Sequence, residues 1–203
     1  MRIISGELRG RRLKSPKRKR GPGRVRPLTG QAKEALFNIL RNDIADCDVL
    51  DVFAGTGAVG MEALSRGAQF AIFVEKDHHA VAAIRANLKS AGLEKRADVF
   101  ALDARRALNL LGNRKAQFDF IFLGAPYDDP VIVEAIELVA SKNLIRPKGH
   151  VVAEHRKTHT LAPVYGALRL QQDRRYGETV LSFYKVQKND EIGADSKEGS
   201  AAE

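Results

Sequence analysis

A short apolar segment followed at once by three closely spaced glycines constrains the fold more than any other part of this sequence. Residues 49–53 are apolar around one acid and include β-branched and aromatic residues, which predicts a buried strand. Gly55, Gly57 and Gly60 then allow the backbone to turn sharply, approach a ligand closely and begin a helix packed on that strand. The free N–H groups at the start of that helix would point at the ligand.

Strand-like and helix-like segments alternate after the glycine loop. The pattern predicts strands at 70–74, 97–102, 118–123 and 151–153, helices over residues 81–88, 107–111 and 131–139, and a final antiparallel hairpin of 168–172 with 180–186. Such alternation is typical of an α/β fold whose parallel sheet has helices on both faces. Ligands of such sheets bind at the carboxyl ends of the strands.

The net charge of +9 is concentrated at the amino terminus. Residues 1–26 carry +10, so the rest of the chain carries −1, and we expect a basic β-hairpin arm there, with a looser loop over 15–23. An ordered basic arm suits the phosphate backbone of a nucleic acid, while a solvated tail is the alternative. The expected RNA-binding residues are Arg2, Arg9, Arg11, Arg12, Lys14, Arg24 and Arg26.

The remaining organisation follows from composition and capping signals. Residues 27–187 are expected to form the main domain, and the polar tail 188–203 is expected to be disordered. Thr29 is a predicted N-cap for a helix whose apolar face comprises Ala32, Ala35, Leu36, Ile39 and Leu40. We expect a cytoplasmic protein, because the sequence has no membrane-length apolar run, no signal-peptide core and one cysteine, Cys47. The sequence says little about oligomeric state, and we expect a monomer. The five histidines have no metal-ligand spacing, so no metal is expected.

Asp51 indicates what kind of ligand the glycine loop binds. A carboxylate just before the glycines would repel a pyrophosphate and attract a cationic group. S-adenosylmethionine has an amino group and a sulfonium centre and no phosphate, so Asp51 favours it over a nicotinamide dinucleotide. The alternatives are that Asp51 only caps the loop, or that the chain is an NAD-dependent oxidoreductase, because the glycine spacing alone is a weak signal.

Two further carboxylates end the next two predicted strands. Glu75 is placed to accept hydrogen bonds from both ribose hydroxyls, or else is a surface residue paired with Lys76. Asp103 is placed to accept a hydrogen bond from an adenine amino group, and it can also cap the helix that follows.

Several stretches together closely resemble the RsmD family of class I S-adenosylmethionine-dependent methyltransferases. They are residues 1–13, 26–29, 34–38, 51–60 and 62–68, with Glu75, Asp103 and the Pro126-Tyr127 pair, so that the resemblance extends from about residue 1 to residue 186. It implies a Rossmann-like, seven-stranded, mostly parallel sheet with an N-terminal β-hairpin extension. It also implies methylation of the exocyclic N2 of one guanine in 16S ribosomal RNA, within the 30S subunit or its assembly intermediate.

The resemblance also implies roles for individual residues. Asp51, Gly55 and Gly57 would hold the methionine end of the cofactor, Glu75 the ribose and Asp103 the adenine. The full set implied to contact the cofactor is Asp51, Phe53, Gly55, Thr56, Gly57, Glu75, Lys76, Asp103 and Ala104. The implied catalytic segment is Gly124, Ala125, Pro126 and Tyr127.

That catalytic segment departs from the family pattern. Family members carry Asp or Asn, then Pro-Pro-Tyr, where this chain has Gly-Ala-Pro-Tyr. Gly124 has no side chain to accept a hydrogen bond from the target amino group. The Ala125 carbonyl, Asp128 or Asp129 would have to substitute, or the chain would bind S-adenosylmethionine and RNA with weak or no turnover.

Overall fold

The computed structural model describes residues 1–15, 28–41, 43–126 and 130–187. Its strands are β1 (Asp48–Val52), β2 (Phe70–Val74), β3 (Ala97–Phe100), β4 (Phe118–Leu123), β5 (Ile145–Arg156), β6 (Val164–Tyr165), β7 (Leu168–Tyr176) and β8 (Thr179–Val186). Its α-helices are α1 (Gly30–Ile39), α2 (Ala58–Ser65), α3 (His78–Ala91), α4 (Ala104–Asn113) and α5 (Val131–Ser141).

These strands form one twisted α/β sheet in the order β3-β2-β1-β4-β5-β8-β7-β6. The first five strands are parallel, and β8, β7 and β6 continue the sheet in antiparallel pairs. The predicted class I methyltransferase fold is confirmed, with one strand more than the seven expected among the described residues. The additional strand, β6, has only two residues, too short to give a periodic pattern in the sequence.

Alternating residues of the central strands enter two separate cores, as the pleat requires. Val49 of β1 packs in the core formed with α1, α2 and α3, whereas Leu50 packs in the core formed with α4 and α5. Asp51 and Phe122 therefore face the α1–α3 side, because they lie two residues beyond Val49 and Phe120. The alternation of side chains between the two faces of the sheet thus determines which polar residues lie close together at the carboxyl ends of the strands.

The expected strand ends differ from the observed ones by a few residues where local geometry overrides composition. Phe53 was expected to end β1 but has a left-handed φ of 61°, so the strand ends at Val52. β3 ends at Phe100 rather than at 102, and β5 runs for 12 residues rather than three. β7 continues to Tyr176, so the predicted wide turn is reduced to Gly177 and Glu178.

Helix α1 begins as predicted, but its buried face is different. The Thr29 hydroxyl accepts a hydrogen bond from the Ala32 N–H at 3.2 Å. Ala32 and Leu36 are buried as expected, whereas Ile39 is exposed and Phe37 and Lys33 are buried instead. Lys33 can lie in the core because its ammonium group is paired with Glu62 there, which a hydrophobicity pattern does not show.

The N-terminal arm is a reduced hairpin. Its ends pair antiparallel through one bridge between Arg2 and Arg12, and residues 7–10 form turns. Most of the predicted loose loop and the predicted disordered tail 188–203 lie outside the described residues. In the part of the chain that the structure describes, no helix is long and apolar enough to cross a membrane.

Candidate active site

The loop between β1 and α2 has a backbone that only a narrow choice of residues permits. Phe53, Gly55 and Gly57 have φ values of 61°, 56° and 72°, in the left-handed region. A Cβ at Gly60 would lie 2.4 Å from the Phe73 ring, so this glycine allows α2 to pack closely on β2, as the spacing predicts. A non-glycine residue held at positive φ is a common mark of a functional loop.

Asp51 lies beneath this loop and is almost completely buried, with 2% of its surface exposed. Its Oδ2 atom accepts a hydrogen bond from the Gly60 N–H at 2.9 Å, so the capping interpretation is correct as a structural role. Burial raises the pKa of Asp51 to about 8; the Gly60 hydrogen bond opposes the rise, and the negative charges of Glu75 and Glu154 add to it. The site therefore concentrates negative potential around a carboxyl group that is costly to ionise.

Glu75 connects the first two strand ends. Its two carboxylate oxygens accept hydrogen bonds from the Gly55 N–H at 2.8 Å and the Asp77 N–H at 2.9 Å. Lys76 is exposed, and the described contacts of Glu75 are with the backbone of the glycine loop and of Asp77 rather than with Lys76. The surface-pair interpretation is therefore wrong, and one lone pair on each oxygen remains available for a hydroxyl donor.

Asp103 caps helix α4 from the neighbouring strand end. Its Oδ1 accepts a hydrogen bond from the Arg106 N–H at 3.0 Å, and its other oxygen lies 3.4 Å from Arg106 Nε. The capping role is confirmed, while contact with an adenine stays a prediction. Ala104, the first residue of the helix, is buried behind it.

The segment after β4 lies directly beside the glycine loop. The Gly124 N–H donates to the Val52 carbonyl at 3.1 Å, and Ala125 is buried. Pro126 is partly exposed at the end of this described stretch. The predicted stacking residue Tyr127 and the candidate substitutes Asp128 and Asp129 lie outside the described residues.

The basic arm is held in place by buried polar groups on helices α1 and α2. Glu62, which is fully buried, accepts hydrogen bonds from the Ile4 and Ser5 N–H groups and from Lys33 Nζ, at 2.8 to 3.0 Å. Lys33 Nζ also donates to the Arg2 carbonyl at 2.7 Å. The arm therefore has a fixed place, while the side chains of Arg2, Arg9, Arg11, Arg12 and Lys14 are exposed.

One side chain links the arm to the glycine loop. Asn87 of α3 accepts from the Lys14 N–H at 2.8 Å and donates to the Lys14 carbonyl at 3.1 Å. The same amide nitrogen lies 3.3 Å from the Thr56 carbonyl, within the loop. The end of the basic arm is therefore adjacent to the candidate cofactor site.

A family model described as conserved hypothetical protein 95 matches residues 1–185. The Bacillus subtilis (strain 168) protein YlbH, whose name marks it as a provisional rRNA methyltransferase, is 36% identical over 185 residues, covering 91% of this chain and 98% of YlbH. Ribosomal RNA small subunit methyltransferase D of Escherichia coli (strain K12) is 29% identical over 195 residues, covering 96% of this chain and 94% of that protein. The chain belongs to the RsmD family.

A solved structure supports the same assignment for the fold of this RsmD-family chain. The hypothetical protein TTHA0928 of Thermus thermophilus is 32% identical, with a TM-score of 0.78 over 92% of this chain and 99% of that chain. The match therefore covers most of this chain and nearly all of the other.

The RsmD-family site contains one acidic residue that the sequence analysis missed. Glu154, near the end of β5, is buried with 5% of its surface exposed, and its charge contributes to the raised pKa of Asp51. A Cβ at position 124 would lie 3.6 Å from Glu154 Oε2 and 2.9 Å from Phe122 Cε1. The sequence signal that could have found Glu154 is an acid placed among the apolar residues of a central strand.

A second group of basic residues was also missed. Arg156 and Lys157 lie at and just beyond the end of β5, a few residues after Glu154. Strand β8 lies between β5 and β7, and its adjacent residues Thr179 and Val180 pair with Arg156 of β5 and Arg175 of β7. All three basic side chains are exposed. Lys157 forms a 2.5 Å ion pair with Glu178, and the positive charges of Lys157, Arg175 and Arg156 lower the pKa of Glu178. Arg24 and Arg26 of the predicted RNA-binding set lie outside the described residues.

Proposed function

We propose that this RsmD-family chain transfers a methyl group from S-adenosylmethionine to the exocyclic N2 of a guanine in 16S ribosomal RNA of the small subunit. The observation that carries the proposal is the position of an ordered, exposed basic arm beside a glycine loop surrounded by carboxylates. The names of the E. coli and B. subtilis relatives, which describe rRNA methyltransferases, support it. The choice of guanine as the target base, and of its N2 as the methylated atom, is what the resemblance to the RsmD family implies.

The charges at the site support S-adenosylmethionine over a dinucleotide. Asp51 on β1, Glu75 just after β2 and Glu154 on β5 are acidic groups near the carboxyl ends of their strands, and the charges of Glu75 and Glu154 oppose ionisation of Asp51. A ligand with ammonium and sulfonium charges relieves that repulsion, whereas a pyrophosphate adds to it. Glu75 has acceptor capacity for the ribose hydroxyls, and Gly55 and Gly57 allow close approach of the backbone.

The reaction requires alignment more than covalent catalysis. S-adenosylmethionine supplies an activated methyl group bonded to a positively charged sulfur. The protein residues fix the loop through Asp51 and Glu75, and the segment from Gly124 to Pro126 lies next to it, where a flipped guanine would be presented. Tyr127, in the family pattern, would stack on that base.

The decisive experiment is radiolabelled methyl transfer to immature 30S particles, together with calorimetry of cofactor binding. The expected result is that S-adenosylmethionine binds, NAD does not, and label appears on a guanine N2 of 16S ribosomal RNA. Binding of RNA and cofactor without transfer would favour the binding-protein alternative. Tight binding of NAD would overturn the proposal in favour of an oxidoreductase.

The exposed arginines of the arm are expected to set RNA affinity. Replacing Arg9 and Arg12 with Gln should weaken binding of 16S ribosomal RNA and reduce the slope of log affinity against log salt by about 1.5, since each lost phosphate contact removes about 0.7–0.9. Cofactor affinity should be unchanged. Filter binding over a series of salt concentrations measures the slope.

The matched control removes two exposed charges outside the arm, one at the end of α4 and one on β5. Arg114→Gln with Lys148→Gln changes the net charge equally, and both side chains are exposed. Equal salt slopes for the two double variants would contradict a role for the arm. Point substitutions are needed because Ile3 and Leu13 belong to the core, so deleting the arm would disturb the fold.

A further inference from the structure

The side chain that the family pattern places after β4 is absent, and another carboxylate occupies its neighbourhood. A Cβ at Gly124 would lie 3.6 Å from Oε2 of Glu154, which is ordinary van der Waals contact. A longer side chain at position 124 would therefore extend into space that borders the Glu154 carboxylate. The structure brings an acid to this place from a different strand.

Strand register explains why the two positions meet. Leu123 of β4 is paired with Ala153 of β5, so Gly124 and Glu154 are the next residues along adjacent parallel strands. Phe122 and Val152, two residues earlier on each strand, both pack in the core on the α1–α3 side. Glu154 faces that same side, because it lies two residues beyond Val152 on β5. Asp51 of β1 faces it too, since it is paired with Phe122 of β4.

Glu154 is buried close to Asp51 near the carboxyl edge of the sheet. A carboxylate with 5% of its surface exposed loses most of its hydration, and it lies close enough to Asp51 to oppose ionisation there. Two interacting acids at one strand edge are typical of functional sites, where charge is arranged for a ligand rather than for folding.

We infer that the Glu154 carboxylate accepts a hydrogen bond from the guanine amino group, in place of the side chain that Gly124 lacks. This inference rests on the proposed function and names the residue that orients its substrate. The carboxylate holds the nitrogen lone pair toward the methyl carbon. The N–C bond forms as the C–S bond breaks, the electron pair stays on sulfur, and the carboxylate accepts the proton that the methylated nitrogen loses.

The first test measures base recognition without any methyl transfer. Inosine is guanosine without the N2 amino group, so a stem-loop RNA with one unpaired guanine is compared with the same RNA containing inosine there. The wild-type chain with S-adenosylhomocysteine should bind the guanine form about tenfold more tightly, as one charge-assisted hydrogen bond allows. Glu154→Leu should bind both RNAs equally, and Glu154→Gln should show an intermediate ratio.

The second test measures single-turnover methylation. Glu154→Gln should lower the rate about tenfold or more, whereas Glu137→Gln, an exposed change on α5, should leave it unchanged. Adding Gly124→Asp to the wild type should slow the reaction, because the new carboxylate meets Glu154 and the Phe122 ring. Adding it to Glu154→Gln should instead recover part of the lost rate.

The outcomes separate this inference from the proposed function. If the wild type methylates RNA and Glu154→Gln is equally fast, or if both Glu154 variants keep full preference for guanine over inosine, the role of Glu154 is overturned while the function stands. If the wild type transfers no methyl group yet loses its guanine preference in Glu154→Leu, the function fails and the recognition role stands. Circular dichroism melts check that each variant is folded.

Discussion

Replacing Asp51 with Asn is expected to stabilise the ligand-free protein and to weaken S-adenosylmethionine binding about tenfold to a hundredfold. The Asn carbonyl can keep the hydrogen bond from Gly60, so the glycine loop retains its support. What the substitution removes is a carboxyl group whose ionisation is opposed by burial and by the charges of Glu75 and Glu154. The ionised form of Asp51 is favourable only when a cationic ligand is bound.

The stabilisation should depend on pH in a defined direction. Burial raises the pKa of Asp51 from 3.8 to about 8 in the folded chain. The favourable contribution of the protonated acid is therefore complete below about pH 4 and is lost as the pH rises toward 8, at no more than about 1.4 kcal/mol per pH unit. Asn does not titrate, so the variant avoids that loss.

Thermal melts at a series of pH values measure this effect. The difference in Tm between D51N and the wild type should be near zero at pH 4 and reach at most roughly 8–17 °C at pH 7, given about 4 kcal/mol over three pH units and about 2–4 °C per kcal/mol for a chain of this size. Asp98→Asn, an exposed change on β3, is the control and should show no such trend. A difference in Tm that is constant from pH 4 to pH 8 would contradict the raised pKa.

Cofactor binding to the wild type should also release a proton near neutral pH. A bound cation favours ionised Asp51, so its pKa falls when the ligand binds. Calorimetry in two buffers of different ionisation enthalpy counts the protons released. D51N should release fewer, and a wild-type count of zero at pH 7 would contradict an Asp51 that is protonated in the free protein and ionises when the cofactor binds.

Periodicity and turn chemistry predicted most of the fold because those signals are local. β2 and β4 were predicted with their observed ends, and Thr29 and Asp103 cap the helices expected of them. The glycine spacing predicted the tight packing at Gly60, since a Cβ there would meet Phe73. These features depend on residues that are close together in the chain.

The missed features depend on partners distant in sequence. Glu154 reaches the site only because β5 is paired with β4 in a register that no local pattern specifies. Lys33 was not among the residues predicted for the buried face of α1, because the partner that allows its burial, Glu62, lies 29 residues away. Asn87 gives no signal of its own, yet it joins Lys14 and Thr56 across 73 and 31 residues.

Replacing Glu62 with Ala is expected to cause a large loss of stability and to release the basic arm. The change takes from the buried Lys33 ammonium group its carboxylate partner, leaving only the Arg2 carbonyl, and it removes the acceptor of the part-buried Ile4 and Ser5 N–H groups. Breaking a buried ion pair by removing one partner costs about 3–5 kcal/mol, which corresponds to roughly 6–20 °C in Tm.

Although burial opposes ionisation, the bonds from Lys33 and Ile4 hold the pKa of Glu62 below its usual value. This contribution to stability is thus present above about pH 4.5 and lost in acid.

A double-mutant cycle separates the ion pair from the anchoring of the arm. Lys33→Met with Glu62→Leu removes both charges together, so it should recover much of the stability that Glu62→Ala loses. The Ile4 and Ser5 amides remain without an acceptor in that double variant, so their hydrogen exchange should stay fast and RNA affinity should stay low. Full protection of both amides in the double variant would show that the core contacts of Ile3 and Leu13 hold the arm without Glu62. Recovery of stability without recovery of RNA binding would instead establish Glu62 as the residue that presents the arginines of the arm to RNA.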